Sequence, residues 1–179
     1  FAGDKTLDIL SQFYQIKTII DKKWPDSLYM PYLQANSNTY GSVEKLKEVY
    51  EPLTTLKDIV GISIATRADC FDEEIYAYLA DLNKRVPLQI ELGLQTIHEH
   101  TAKLINRKTE LKEFKDAISR LREIGIEIVV HIINGLPYES KQDMLETIKF
   151  INTLDIQGVK IHSLLVLKNT ALANLYEKE

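Results

Sequence analysis

Five short apolar segments, "SLYMPYLQA", "DIVGISIAT", "LQIELGLQ", "IEIVVHIING" and "GVKIHSLLVL", recur along the chain. Their spacing of about 30 to 40 residues is the length of one strand plus one crossover helix. Amphipathic patterns fill the intervals. "LKEFKDAISRLREIG" sets Leu111, Phe114, Ile118 and Leu121 on one stripe and closes on Gly125, the residue type that tolerates a left-handed helix end. "SKQDMLETIKFI" follows Ser140 as N-cap, with Leu145 and Ile148 expected to face inward. "FDEEIYAYLADL" opens on Asp72 and a run of acids suited to the positive end of a helix. Strand alternating with helix predicts parallel strands joined by right-handed crossovers, an α/β fold. No low-complexity segment or linker breaks the alternation, so residues 1–179 read as one domain.

The pleat sharpens this, because residues two apart on a strand share a face. In the third segment Leu88, Ile90, Leu92 and Leu94 fall on one face, and Gln89, Glu91, Gly93 and Gln95 on the other. The second opposes Val60, Ile62 and Ile64 to Gly61, Ser63, Ala65 and Arg67. The fifth opposes Val159 and Ile161 to Lys160 and His162, and the fourth puts His131 in line with Glu127. A parallel sheet covered by helices on both faces is apolar on both. One apolar face and one small, polar face predict instead the strands of a partial, TIM-like barrel lining a lumen. In such folds ligands meet the carboxyl ends of the strands, where Gln34, Asn36, Arg67, Gln95 and His131 fall.

Hydrophobic residues are 45% and charged residues 27% of the 179, which excludes a disordered or fibrous chain. A net charge of -4 argues against general phosphate-backbone binding. The single cysteine, Cys70, excludes an internal disulfide framework and a cysteine metal cage, and reads as a structural thiol. No apolar run reaches the roughly 18 residues of a membrane span, and "FAGDKTLDIL" has no signal-peptide pattern, so the expected location is cytoplasmic. Without an initiator Met, the chain is expected to begin inside a longer protein.

Individual polar residues carry two readings each. Gln95 precedes Thr96, which with Glu99 makes a capping box; Gln95 either satisfies loop backbone groups or faces a ligand. Glu91 inside a sheet is costly unless it pairs with Lys160 or His162, or serves a function. Arg107, in "LINRK", is on composition a solvated residue at a helix end. His131 is a satisfied core histidine or a base. Gly135 in "NGLPYES" allows either a plain tight turn or close backbone approach to a ligand. A cofactor-independent lyase or aldolase using Glu91, Lys160 and His131 is one functional reading, and a non-catalytic module for a nucleotide-like ligand is another.

Taken as an ordered set, "QANSNTYGSVEKL", "SIATRADC", "IELGLQT" with "LINR", "HIINGLPYES" followed by "DM", and "IHSLLVLKNTALANLY" resemble the radical S-adenosylmethionine superfamily. The resemblance runs from about Leu28 to Tyr176, closest to an uncharacterised bacterial branch related to the Elongator catalytic subunit and, more distantly, to oxygen-independent coproporphyrinogen III oxidase. It implies a partial barrel holding S-adenosylmethionine and a four-iron four-sulfur cluster over the strand ends, an enzyme that generates a 5'-deoxyadenosyl radical, and an electron donor such as flavodoxin or ferredoxin. It leaves tRNA, a small molecule or a protein side chain open as substrate. By the same resemblance Gln95 and Arg107 contact the cofactor, Arg107 at its methionyl carboxylate. Asn36 and Asn38, with Ser37 and Thr39, stand where the family binds the cofactor's amino group, and Gln34 and Leu165 are carried over as further contacts.

The chain also departs from the pattern. Ala65, with Arg67 two residues on, replaces a ribose-binding glutamate, which makes Glu91 the candidate for the ribose; His131 replaces an acid before "GLP". The family's three cluster cysteines, in a CxxxCxxC-type loop after the first strand, have no counterpart here. The expectation is a fragment lacking that first strand and loop, with the cluster ligands outside this chain and no metal-binding residue within it. Tyr29 to Gln34 would then form an open sheet edge through which the chain self-associates.

Overall fold

The computed structural model describes residues 6–177. After helix α1 (Ile9–Asp21), strands and helices alternate: β1 (Tyr32–Leu33), α2 (Val43–Leu53), β2 (Ile62–Thr66), α3 (Glu73–Arg85), β3 (Leu88–Gln95), α4 (Glu99–Leu104), α5 (Leu111–Glu123), β4 (Glu127–Asn134), α6 (Lys141–Ile151), β5 (Gly158–Ser163) and α7 (Ala171–Tyr176). All strand pairings are parallel, and the sheet order β1-β2-β3-β4-β5 follows the chain order. Each crossover therefore advances the sheet in one direction, as in a barrel, and packs the crossover helices α2, α3, α5 and α6 on the core side of the sheet.

The alternating pattern is what fixes that side. Ile62, Ile64, Ile90, Leu92, Ile128 and Val130 turn their side chains to the helices and are fully buried. Leu79 and Leu82 of α3 and Phe114 and Leu121 of α5 meet them in the same core. Asp72 caps α3, accepting the Ile75 N–H at 2.8 Å, and Ser140 caps α6 in a reciprocal box with Asp143. Gly125, at φ 75°, ends α5 as expected, and the N–H of Ile126 returns to Leu121 O.

The structure corrects several local expectations. Leu145 is exposed; Thr147 and Ile151 are the buried residues of α6, and at about 100° per residue Leu145 lies roughly 160° around the helix from Thr147. Ile148, between them, is half-buried against the core. Val60 is exposed because β2 starts only at Ile62. Val159 and Ile161 are exposed too, at 40% and 60%, because β5 is an edge of the described sheet. The first segment yields a strand of only two residues plus an isolated bridge between Tyr29 and Ile59, since Pro31 between them has no N–H to donate. The expected Thr96–Glu99 capping box does not form. Helix α4 starts at Glu99 with His98 as N-cap, Thr96 Oγ accepts the His98 N–H at 3.1 Å, and Glu99 turns to Arg107 instead.

Candidate functional site

The carboxyl ends of the strands carry a cleft of about 570 Å³. Its polar lining comes from Arg67 after β2, Gln95 at the end of β3, and Asn106, Arg107, Lys108 and Thr109 in the α4–α5 loop. Leu104, Ile105, Leu136, Pro137, Leu164 and Leu172 supply apolar walls. Volume and mixed lining both match a small-molecule site, which runs to about 300–1,000 Å³.

Local backbone devices aim the polar groups. The β3–β4 register slips between Gly93 and Gln95, and Gln95 sits at φ 61°. Its carboxamide folds back over Gly93, and a Cβ there would push the end of the Gln95 side chain aside. Arg107 is placed by the end of α4. Asn106 adopts φ 60°, its N–H bonds Lys103 O, and the Arg107 N–H bonds Ala102 O, the paired return bonds of a Schellman motif. The chain reversal turns the guanidinium under the end of β3. There it donates to Leu94 O at 2.9 Å, to Thr96 O, to Thr109 O at 3.0 Å and to the Glu99 carboxylate at 3.1 Å.

The expectation of a solvated Arg107 is thereby overturned: its side chain is 7% exposed. Burial lowers its affinity for the proton, and the neighbouring Glu99 offsets this only in part. Of its five N–H groups one has no protein partner among these bonds, and the Glu99 carboxylate beside it is half exposed. Arg67 is tied to Asp69 by two bonds, 2.9 and 2.5 Å, and Asp69 also accepts from Thr109 at 3.1 Å, which latches the β2 end to the α4–α5 loop. The Arg67 hydrogen bonds hold Asp69 below the usual carboxylate range, although burial opposes them.

A second polar cluster occupies the lumen face below the cleft. Glu91 is 3% exposed, and both of its oxygens lie 2.6 Å from Lys160 Nζ. Ser63 donates to it at 2.9 Å and His131 Nε2 lies 2.6 Å away. Burial pushes the Glu91 carboxyl up, but hydrogen bonds from Lys160, Tyr32, Ser63 and His131 outweigh it and hold the group below its ordinary value. Burial, with Lys160 and His162 acting the same way, lowers His131 below its ordinary 6.5 and prevails over Glu91. His162 Nε2 is 3.3 Å from His131 Nδ1. The pairing anticipated for Glu91 is present with Lys160; His162 meets His131 rather than Glu91.

A lowered His131 has a measurable consequence. Below pH about 6.5 the unfolded chain takes up a proton that the folded chain refuses, so stability falls as pH drops from that point toward the folded-state value, by at most about 1.4 kcal/mol per pH unit. Urea midpoints between pH 7.5 and 5.5 should fall more steeply for the native sequence than for His131→Asn. Parallel slopes would contradict the neutral His131.

The residues singled out in the sequence thus divide. Arg67, Gln95 and Arg107 line the cleft together. Glu91 and His131 lie in the lumen cluster and are not among its walls. The Asn38 side-chain NH2 donates to Leu33 O and Ala65 O, at 2.9 and 2.8 Å, and its backbone carbonyl accepts from the Tyr50 hydroxyl at 2.7 Å, which fastens the β1 loop to β2. Gln34 and Asn36 are exposed on that loop, Asn36 at φ 64°. Leu165 is 77% exposed, and its neighbour Leu164 lines the cleft. Cys70 is buried and free. His98, Asp143 and Glu146 approach one another, but His98 Nε2 is already at 3.0 Å from the Asp143 carbonyl.

Sequence reasoning missed Asp69, Thr109, Tyr32 and Ser63 as partners. For Asp69 a signal existed, an acid two residues after Arg67 in a loop; Ser63 and Tyr32 follow from strand alternation once the register is known.

Parallel strands in chain order, crossover helices on one face and a ligand-sized cleft over the strand carboxyl ends define a partial barrel of the βα type. Residues 31–151 match the radical SAM superfamily. The chain belongs to the radical SAM superfamily. It is 48% identical over 178 residues to the uncharacterized protein YtqA of Bacillus subtilis (strain 168), covering 99% of this chain and 55% of that protein. The chain spans about half the length of the curated relatives it matches. The fold is shared with Elp3 of the archaeon Methanocaldococcus infernus (TM-score 0.74, 19% identity, 94% of this chain and 43% of that one). It is shared too with coproporphyrinogen III oxidase (HemN) from Escherichia coli, a radical SAM enzyme (TM-score 0.64, 18% identity, 73% of this chain and 30% of that one). No helix among the described residues is long and apolar enough to cross a membrane.

Proposed function

We propose that the protein containing this chain is a radical S-adenosylmethionine enzyme, and that this chain supplies its cofactor-binding cleft. The observation that carries the reading is the buried Arg107 with an unfilled N–H at the edge of a ligand-sized cleft, in a chain of this family. A planar guanidinium fixed by backbone carbonyls is matched to a planar carboxylate, and the remaining N–H, beside the half-exposed Glu99, would be offered to the methionyl carboxylate. Gln95 would hydrogen-bond the same end of the ligand, Arg67 would stand over its other polar groups, and Leu136, Pro137 and Leu164 would cover its apolar surface.

The residues here fit S-adenosylmethionine, but they do not fit the iron–sulfur cluster. Such a cluster needs several thiolates, and the chain has one cysteine, buried Cys70, whose thiol is pushed up by burial. Bound together, cofactor and cluster would supply a 5'-deoxyadenosyl radical that takes a hydrogen atom from substrate. This chain's part is to bind, orient and exclude water. The lyase reading loses support because Lys160 is half of an ion pair with Glu91, whereas Schiff-base chemistry needs a free amine.

The full-length protein, isolated without oxygen, should contain about four irons per chain, as for one cubane cluster, and release 5'-deoxyadenosine when reduced with S-adenosylmethionine present. An iron-free full-length protein would overturn the reading.

A further inference from the structure

The lumen cluster is a directed chain of hydrogen bonds, and its direction follows from chemistry. Glu91, held ionised by Lys160, Ser63, Tyr32 and His131, only accepts. His131 Nε2, 2.6 Å from it, must therefore carry the hydrogen. A neutral His131 with its proton on Nε2 presents a bare Nδ1, and the group facing that lone pair is His162 Nε2 at 3.3 Å. His162 Nε2 must then be the donor, and in the neutral imidazole tautomer that does so Nδ1 is bare. His162 is exposed at the end of β5, on the polar face that the cleft overlies.

Resting on the radical-enzyme reading above, we infer that His162 is a substrate-binding residue, its Nδ1 accepting a hydrogen bond from an N–H or O–H of the substrate, with His131 and Glu91 as positioning residues. The geometry selects a substrate with a polar hydrogen, and not one presenting only acceptor oxygens, such as a phosphate dianion or a carboxylate. The charged and titratable groups facing His131 are Glu91 from β3 and Lys160 and His162 from β5. Glu91 is also met by Tyr32 from β1 and Ser63 from β2, so β1, β2, β4 and β5 each contribute a group that fixes the β3 carboxylate. Burial and the Glu91 hydrogen bond push the Tyr32 hydroxyl up, which keeps it a donor.

The opposite polarity is a distinct, observable state. If His131 were doubly protonated it would donate from both nitrogens, and His162 would carry its hydrogen on Nδ1 with Nε2 bare. Nitrogen-15 histidine spectra of the full-length protein at pH 7.5 separate the two. The expected result is one protonated Nε2 and one bare Nδ1 on both His131 and His162. In Glu91→Gln the His162 resonances should shift although the substituted side chain does not touch His162, while those of His98 and His100 stay in place. Should that variant not fold, the tautomers of the unsubstituted protein carry the test, since they are read without any substitution. A bare Nε2 on His162, or His162 signals indifferent to Glu91→Gln, would overturn the inference. Neither readout needs cofactor or turnover, so this result and the iron content report separately.

Discussion

Replacing Glu91 with alanine should cost the fold about 3 kcal/mol, read as a drop in the urea midpoint at pH 7.5. Removing one partner of a buried ion pair costs about 3–5 kcal/mol because the other charge is stranded. The low end applies here, since Lys160 is 42% exposed and its stem can carry the ammonium to water. His131, Ser63 and Tyr32 would still lose the acceptor they share. The conservative Glu91→Gln should cost less, because a carboxamide oxygen still accepts from Ser63 or His131. The double change Glu91→Gln with Lys160→Met should be milder than the sum of the two single changes, since the charges leave together. A Glu91→Ala protein within about 0.5 kcal/mol of native, the range of an ordinary surface substitution, would show that the cluster adds nothing to stability.

Arg107→Ala should weaken S-adenosylmethionine binding to the full-length protein by roughly 1.5 to 3 kcal/mol, about ten- to over one hundred-fold, the span for hydrogen bonds to charged groups. It should also cost the fold about 2 kcal/mol, because the carbonyls of Leu94, Thr96 and Thr109 lose their donor where only the cleft admits water. Arg107→Lys separates the two effects. A lysine keeps the charge but offers no planar fork, and it cannot bridge three carbonyls while facing a carboxylate. Stability should recover more than affinity does. Equal recovery of both would mean that Arg107 acts only as a staple.

The repeating unit and the polarity of the sheet were legible because strand alternation depends on period alone. Leu88, Ile90, Leu92 and Leu94 are buried where their spacing places them, and the opposite face carries Glu91 and Gln95. The same rule failed at Val60, Val159 and Ile161, where it gave the right face but burial depends on neighbours that a local pattern does not contain. Leu145 failed for a related reason: the inward arc of α6 is set by the sheet beneath it, and that arc centres on Thr147 and Ile151.

The site was harder to read. Arg107 looks solvated as sequence because nothing in "LINRK" says that Asn106 will take a left-handed conformation and fold the guanidinium back under β3. Asparagine at a helix end was the available signal. The Glu91 partnership was foreseen in kind, an ion pair with Lys160, but the histidine chain behind it depends on the β3–β4–β5 register.

The central claim, that the cleft over the strand ends is an S-adenosylmethionine site, is tested most directly by calorimetry. The cofactor would be titrated into the full-length protein without oxygen. The account predicts saturable binding of one molecule per chain, weakened at least tenfold by Arg107→Ala and left unchanged by Lys112→Ala on the exposed face of α5. Absence of binding, or binding that Arg107→Ala does not weaken, would contradict it.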